Sequence, residues 1–150
     1  MRIRLAKVSD ASQLWRLNRE FNGADNTSSE SEIAESLSVS PEIVMVAEQD
    51  GALVGFLCAH ISRSMCYQTA RGEIRELFVS PMYRKLGVGR GLLEEAERYF
   101  WEKRISVVTL YTSVSNAGAQ TFYERCGYQK KSRIEYRKEA WQTGGRMTSS

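Results

Sequence analysis

The sequence predicts an α/β fold: one mixed, mostly antiparallel, twisted sheet of six to seven strands, flanked by about four helices. Three observations carry this. Strand-like stretches with period two alternate along the chain with helix-like stretches of period 3.6. The first half places two strands either side of Gln49-Asp50-Gly51, a hairpin turn signal that makes neighbours antiparallel. The second half holds a strand–helix–strand unit, which requires a parallel, right-handed crossover.

The elements follow in order. Ile3 to Ala6 reads as a first strand, with Ile3 and Leu5 on one face. Ser9 and Asp10 offer N-caps, and Gln13 stands at capping-box spacing from Asp10. Ala11, Leu14, Leu17 and Phe21 fall at helical spacing until Asn22-Gly23, a C-cap signal. Ser29 and Glu32 form a second capping-box pattern. The helix they open has only Ile33 and Leu37 as an apolar stripe, so it is expected to be short and partly exposed, and Pro41 ends it. Ile43 to Glu48 and Leu53 to Ile61 are the hairpin strands, with Gly55 marking a close backbone approach or a bulge.

Gly72 to Val79 is the next strand, and it breaks the alternation. Ile74, Leu77 and Val79 cannot share one side of a regular strand. Either both faces are covered, or a bulge lies between Ile74 and Leu77. A long amphipathic helix then runs from Gly87 to Lys103, with Leu92, Leu93, Ala96, Tyr99 and Phe100 on its apolar face and Glu94 and Arg98 four apart for an ion pair. Ser106 to Thr112 reads as a strand. Asn116 caps a fourth helix carrying Ala119, Phe122, Tyr123 and Cys126 inward, and Gly127 ends it. Tyr128 to Gln129 and Ile134 to Lys138 are expected as closing strands. Residues 139–150 are expected to form a flexible tail, and the whole chain 1–150 a single domain.

Bulk numbers set bounds. At 150 residues the chain is large enough for one real core, and 42% apolar with 26% charged residues is ordinary for a soluble protein. No apolar run approaches a membrane span, and Met1-Arg2-Ile3-Arg4 lacks the apolar core of a secretory signal, so a cytoplasmic location is expected. A net charge of +3 is too small to imply a polyanion partner. Cys58, Cys66 and Cys126 lack metal-ligand spacing and His60 is alone, so no metal site is expected.

Chemistry concentrates where the central strand meets the long helix. Arg84-Lys85-Leu86-Gly87-Val88-Gly89-Arg90 is a short basic, glycine-rich loop at a helix start. Unpaired amides and the helix dipole favour an anion there, and glycines let it approach the backbone. A phosphate or pyrophosphate is the expected ligand. The P-loop pattern is absent, and Gly87-Val88-Gly89-Arg90-Gly91 lacks the third spacing of a dinucleotide fingerprint.

The loop does match Arg/Gln-x-x-Gly-x-Gly/Ala. After Leu77-Phe78-Val79-Ser80-Pro81 it resembles the pyrophosphate loop of the GCN5-related N-acetyltransferase (GNAT) superfamily. A second run, Asn116-Ala117-Gly118-Ala119-Gln120-Thr121-Phe122-Tyr123-Glu124-Arg125-Cys126-Gly127-Tyr128, fills every fixed place of that family's Asn-x-x-Ala-x-x-Phe/Leu-Tyr-Glu-x-x-Gly-Phe/Tyr pattern. The resemblance implies acetyl-CoA as co-substrate and direct acetyl transfer to a primary amine of a small molecule or peptide. It implies a bulged fourth strand, splayed from the fifth to admit the pantetheine arm.

By the same resemblance, Arg84, Lys85, Leu86, Gly87, Val88, Gly89 and Arg90 hold the diphosphate, and Leu77, Phe78 and Val79 hold the arm and the acetyl carbonyl. Asn116 bonds the pantetheine, and Tyr123 sits by the thioester sulfur, where a proton donor stabilises the leaving thiolate. An amine acceptor arrives protonated, so a base or a water relay must take its proton. Glu73 falls where some members carry a glutamate base, and Glu76 where others carry an acidic residue.

Two other readings compete. One is a non-catalytic acyl-CoA-binding sensor or interaction domain of the same fold. The other is a nucleic-acid binder using Lys130, Lys131, Arg133, Arg137 and Lys138, but those charges interleave with Glu135 and Glu139 and no aromatic platform accompanies them, so no nucleic-acid partner is expected. No membrane partner is expected either, and a homodimer is left open.

Overall fold

The computed structural model describes residues 1–142 and 146–147. The chain divides into two compact units, Met1–Ser113 and Val114–Ser150.

The first unit is a five-stranded sheet with helices on both faces. Its elements are β1 (Arg2–Leu5), α1 (Ala11–Asn22), α2 (Glu30–Val39), β2 (Ile43–Gln49), β3 (Ala52–Ser62), β4 (Arg71–Val79), α3 (Val88–Glu102) and β5 (Val108–Leu110). The strands lie in the order β1-β2-β3-β4-β5. The first four pair antiparallel, and β5 joins β4 in parallel, as the crossover through α3 requires. Asp50 and Gly51 both take positive φ, 51° and 80°, the backbone of a tight hairpin turn between β2 and β3.

Period-two alternation sends β2 and β3 side chains to two cores. On one face Val46, Leu53, Phe56 and Phe78 pack with Leu14 and Leu17 of α1, and Ile33 and Leu37 of α2 lean on that cluster. On the other, Met45, Ala47 and Leu57 are buried under α3, which contributes Val88, Leu92, Leu93, Ala96 and Phe100. Each fully buried Leu or Phe contributes about 1.5–3 kcal/mol over exposure. Gly55 and Gly72 let the layers close. A Cβ at Gly55 would lie 2.8 Å from the Phe78 carbonyl oxygen, and one at Gly72 would lie 2.7 Å from the Phe100 ring.

The helix starts differ from expectation at one place. Ser29 and Glu32 do form a reciprocal box, with the Glu32 amide donating to Ser29 Oγ at 3.2 Å and the Ser29 amide donating to Glu32 Oε1 at 3.1 Å. The Asp10–Gln13 box is not made. The Asp10 carboxylate is taken by Arg4 and by the Lys7 amide. Gln13 instead accepts from the Leu53 amide at 2.8 Å and ties α1 to the hairpin. On α3, Glu94 pairs with Arg90, and Arg98 pairs with Glu95 rather than Glu94.

The second unit contains α4 (Ala117–Arg125) and a small antiparallel pair, β6 (Trp141–Gln142) with β7 (Arg146–Met147). The strands expected over Tyr128–Gln129 and Ile134–Lys138 are not formed, so the main sheet has five strands rather than six or seven. Ile134 and Tyr136 alternate with charges but are 77% and 90% exposed. An alternating pattern without a partner ladder or a buried face does not hold a strand. The expected tail carries the small β6–β7 pair, and its residues 143–145 and 148–150 lie outside the described residues. Arg137 reaches Glu135 at 3.1 Å and Glu139 at 3.8 Å, a self-neutralising solvated surface. Among the described residues, no helix is long and apolar enough to cross a membrane.

Candidate active site

β4 carries a bulge, and the bulge decides where its peptide groups point. Cys58 pairs with Glu76 and Ala59 with Ile74, so Arg75 is the extra residue. Beyond it the register runs Leu57↔Leu77, Phe56↔Phe78 and Gly55↔Val79, and the Ser80 amide donates to the Val54 carbonyl at 2.9 Å. Hydrogen-bonded residues recur at every second position of an antiparallel ladder. Ser80, Phe78 and Glu76 therefore turn their peptide groups toward β3, and Val79 and Leu77 turn theirs to the opposite edge. On that edge β5 pairs only with Gly72, Glu73 and Ile74. The two strands thus part at the bulge, leaving the Leu77–Val79 stretch facing a gap. Within that stretch the Phe78 side chain turns away from the gap: it is 5% exposed and its ring stacks on Phe21 at 5.0 Å in the α1 core.

The chain leaves β4 through a turn at Pro81–Tyr83 and enters α3 through the basic loop. Lys85 and Gly87 both take left-handed φ, +62° and +86°. Only glycine adopts this cheaply, and such turns make successive amides converge. Gly87 is the N-cap of α3, no side chain caps that end, and no acidic residue stands in the first turn. The amides of Val88 and Gly89 have no acceptor within the helix by its geometry. Val88 is buried and anchors the turn, while Arg84, Lys85, Leu86, Gly87 and Arg90 are exposed around it. Arg84 Nε–H donates back to the Val79 carbonyl at 2.8 Å, with its guanidinium 5.6 Å from the Phe78 ring centre. Loop and strand end are thereby held as one piece.

The carboxylates of β4 share the α1/α2 face of the sheet. Glu73 stands opposite His60, with Oε2 3.7 Å from Nε2, and Glu76 stands opposite Cys58. Glu73 is half-buried and Glu76 exposed. A cleft at this end of the sheet is lined by Pro41, Glu42, His60, Ile61, Arg75 and Tyr99, among others. Protein crowding raises the pKa of the Glu42 carboxyl; Arg75 and His60 pull it down, and Glu76 pushes it up. Burial pushes the Cys58 thiol well above its usual range, with Glu42 and Glu76 adding to the effect, so Cys58 is an inert core thiol.

In the second unit, Asn116 Oδ1 accepts from the Ala119 amide at 3.1 Å and caps α4, leaving its Nδ2 donors outside the cap. Tyr123 is half-buried, its ring 5.3 Å from Phe122 and 6.2 Å from Tyr128. Gly127 takes φ +94° and closes the helix.

The sequence model described as Acetyltransferase (GNAT) family matches residues 11–128. The chain belongs to the GNAT family. Among its GNAT relatives, an uncharacterised N-acetyltransferase of Bacillus subtilis (strain 168) is 30% identical over 135 residues, covering 87% of this chain and 91% of the relative. Another, from Archaeoglobus fulgidus, is 39% identical over 88 residues, 58% of this chain and 60% of that one. An aminoglycoside acetyltransferase from an uncultured soil metagenomic sample shares the fold at TM-score 0.81 and 18% identity, over 94% of this chain and 96% of that one. The aminoglycoside N-acetyltransferase AAC(6')-Iy with a CoA bisubstrate analogue does so at TM-score 0.81 and 20% identity, over 92% and 97%.

One group in this GNAT chain escaped the sequence. Glu42 follows Pro41 at the end of α2, and no spacing rule links it to Arg75, Glu76 or His60. Only the closing of β2 and β3 against β4 brings them together.

Proposed function

We propose that this GNAT chain is an acetyl-CoA-dependent N-acetyltransferase that moves the acetyl group directly to a primary amine of a small molecule or peptide. One observation carries the reading: the uncapped start of α3 follows a strand whose Leu77 and Val79 peptide groups face an edge that β5 no longer pairs. The donor chemistry fits the co-substrate. Main-chain amides from Gly87 to Gly89, with the side chains of Arg84, Lys85 and Arg90, suit a diphosphate. The ladder groups of Leu77 and Val79 suit the amide-bearing pantetheine arm, and the Asn116 Nδ2 donors suit the same arm. Acetyl-CoA, when bound, supplies the activated thioester.

The chain's own residues then orient, polarise and exchange protons. A strand amide aimed into the gap stabilises negative charge on the reacting carbonyl without reorganising. Tyr123 donates a proton to the departing thiolate. Glu73 and Glu76 draw the acceptor's ammonium to the α1/α2 face and are the β4 candidates for its proton. Solved relatives that act on aminoglycosides support a small-molecule amine.

The test is release of free thiol from acetyl-CoA over a panel of polyamines, aminoglycosides, amino acids and peptides. Amine-dependent release is expected. Calorimetric CoA binding with no release on any amine would make the chain an acyl-CoA-binding domain instead.

A further inference from the structure

We propose that Glu20, in the last turn of α1, selects the acceptor: its carboxylate holds a second ammonium group of a diamine or polyamine whose other nitrogen takes the acetyl group. This deepens the acetyltransferase reading and rests on it.

Placement comes first. The end of α1 lies over the end of β4, and two contacts fix it there. The Phe21 ring stacks on Phe78 at 5.0 Å. The Glu20 carboxylate reaches Ser80, with Oε2 3.5 Å from Oγ. Ser80 continues the β4 ladder through its amide bond to the Val54 carbonyl, so it shares a face with Phe78, and Val79 lies between them. Glu20 therefore stands against the residue that follows the Leu77–Val79 stretch, where the acetyltransferase reading puts the reacting carbonyl. An acceptor nitrogen that enters the gap from the α1 face has this carboxylate beside it.

Charge comes second. Glu20 is exposed and makes no ion pair among the described residues; its hydrogen-bond partner is the Ser80 hydroxyl. The cations around it are engaged elsewhere. Arg16, one turn back, bonds Gln13, and the Arg19 guanidinium lies 4.9 Å from the Trp15 ring centre. Arg84 donates to the Val79 carbonyl and lies over Phe78. A carboxylate in a last helical turn opposes the helix dipole, so Glu20 does not stabilise α1. The same negative end attracts a cation. Phe21 beside it is 38% exposed and adds aromatic surface, which also favours an ammonium.

Reach comes third. Neighbouring strand residues are about 3.8 Å apart, and the carboxylate stands 3.5 Å beyond the Ser80 hydroxyl. The reacting nitrogen and the held ammonium are then roughly 5–8 Å apart, which about three to five methylenes span. A monoamine cannot use Glu20 while it reacts, and a diamine can. Glu76 is exposed on the same face but on the far side of Phe78. The transfer itself is unaltered. The C–N bond forms at the free nitrogen, and the C–S bond breaks with its electron pair leaving on sulfur. The sulfur gains one proton, the nitrogen loses one, and the held ammonium keeps its own.

The experiment measures thiol release from acetyl-CoA by the full chain with putrescine and with butylamine, which share a carbon chain and differ by one charge, beside CoA affinity and Tm. Wild type is expected to favour putrescine at least about tenfold in kcat/KM, as one charge-assisted contact implies. Glu20→Gln is expected to bring the two amines within about threefold, through KM for putrescine, with CoA affinity and Tm unchanged. Glu20→Asp is expected to keep part of the preference. A wild-type ratio near one, a Glu20→Gln protein that keeps the preference, or release with other amines but not putrescine overturns the assignment while the acetyltransferase reading stands. Wild-type protein that releases no thiol with any amine overturns that reading, and this proposal with it.

Discussion

Arg84 donates its Nε–H to the main-chain carbonyl of Val79 at 2.8 Å, tying the basic loop to the last residue of β4. The same guanidinium lies 5.6 Å from the centre of the Phe78 ring. Arg84 is thus a brace, and under the proposed function it is a phosphate donor as well. Replacement by Ala removes both, and charge-assisted bonds are each worth about 1.5–3 kcal/mol. Steady-state kinetics of Arg84→Ala should show KM for acetyl-CoA raised at least about tenfold. Lys should not restore it, because an ammonium on a flexible stem lacks the fork that serves two acceptors.

A second prediction concerns the α3 layer. Gly72 faces the Phe100 ring, which is fully buried, and an added Cβ would stand 2.7 Å from two ring carbons. Gly72→Ala should destabilise the fold by about 1–3 kcal/mol, read from the denaturation midpoint. Phe100→Leu in the same background should recover part of that loss, giving a non-additive cycle.

Acid should loosen the β1–α1 corner. Arg4 holds both oxygens of Asp10 at 2.7 and 3.0 Å, and this bonding, with the Lys7 amide helping, keeps the Asp10 carboxyl below its usual pKa against the cost of burial. A depressed folded-state pKa gives stability that is present above the unfolded value and lost as pH falls through the folded one. Melting curves should therefore show wild-type Tm declining below about pH 4. Asp10→Asn, already about 1–3 kcal/mol weaker at neutral pH because Arg4 keeps only its longer contact to Glu48, should decline less steeply.

Tyr123→Phe removes only a hydroxyl from a half-buried ring. If that hydroxyl donates the proton to the thiolate, kcat should fall about 100-fold with KM for acetyl-CoA little changed. A kcat equal to wild type would remove Tyr123 from the chemistry.

Local features were legible in the sequence because neighbours in the chain create them. The Ser29–Glu32 box, the stop at Gly23 and the turn at Asp50-Gly51 need only adjacent residues. The bulge at Arg75 was legible through the broken alternation of Ile74, Leu77 and Val79. Long-range competition was not. Asp10 prefers a guanidinium from β1 to its own helix amides, and Gln13 is drawn to a hairpin far along the chain. Val108–Leu110 is shorter than its β-rich sequence suggests, because its pairing on β4 ends at Ile74. Ile134 and Tyr136 alternate like a strand yet have no buried face to occupy. Glu42 comes near Arg75, Glu76 and His60 only through the pairing of β2, β3 and β4.

The central claim is that main-chain amides at the start of α3 hold a diphosphate. Gly89→Asp tests it most directly. An acidic residue in the first turn suits the helix dipole, so the helix should persist and Tm should stay near wild type. The same carboxylate repels a diphosphate and fills its approach. Calorimetric titration with CoA should show binding to wild type and a loss of at least about 100-fold in the variant. Equal CoA affinity in the two proteins would contradict the account.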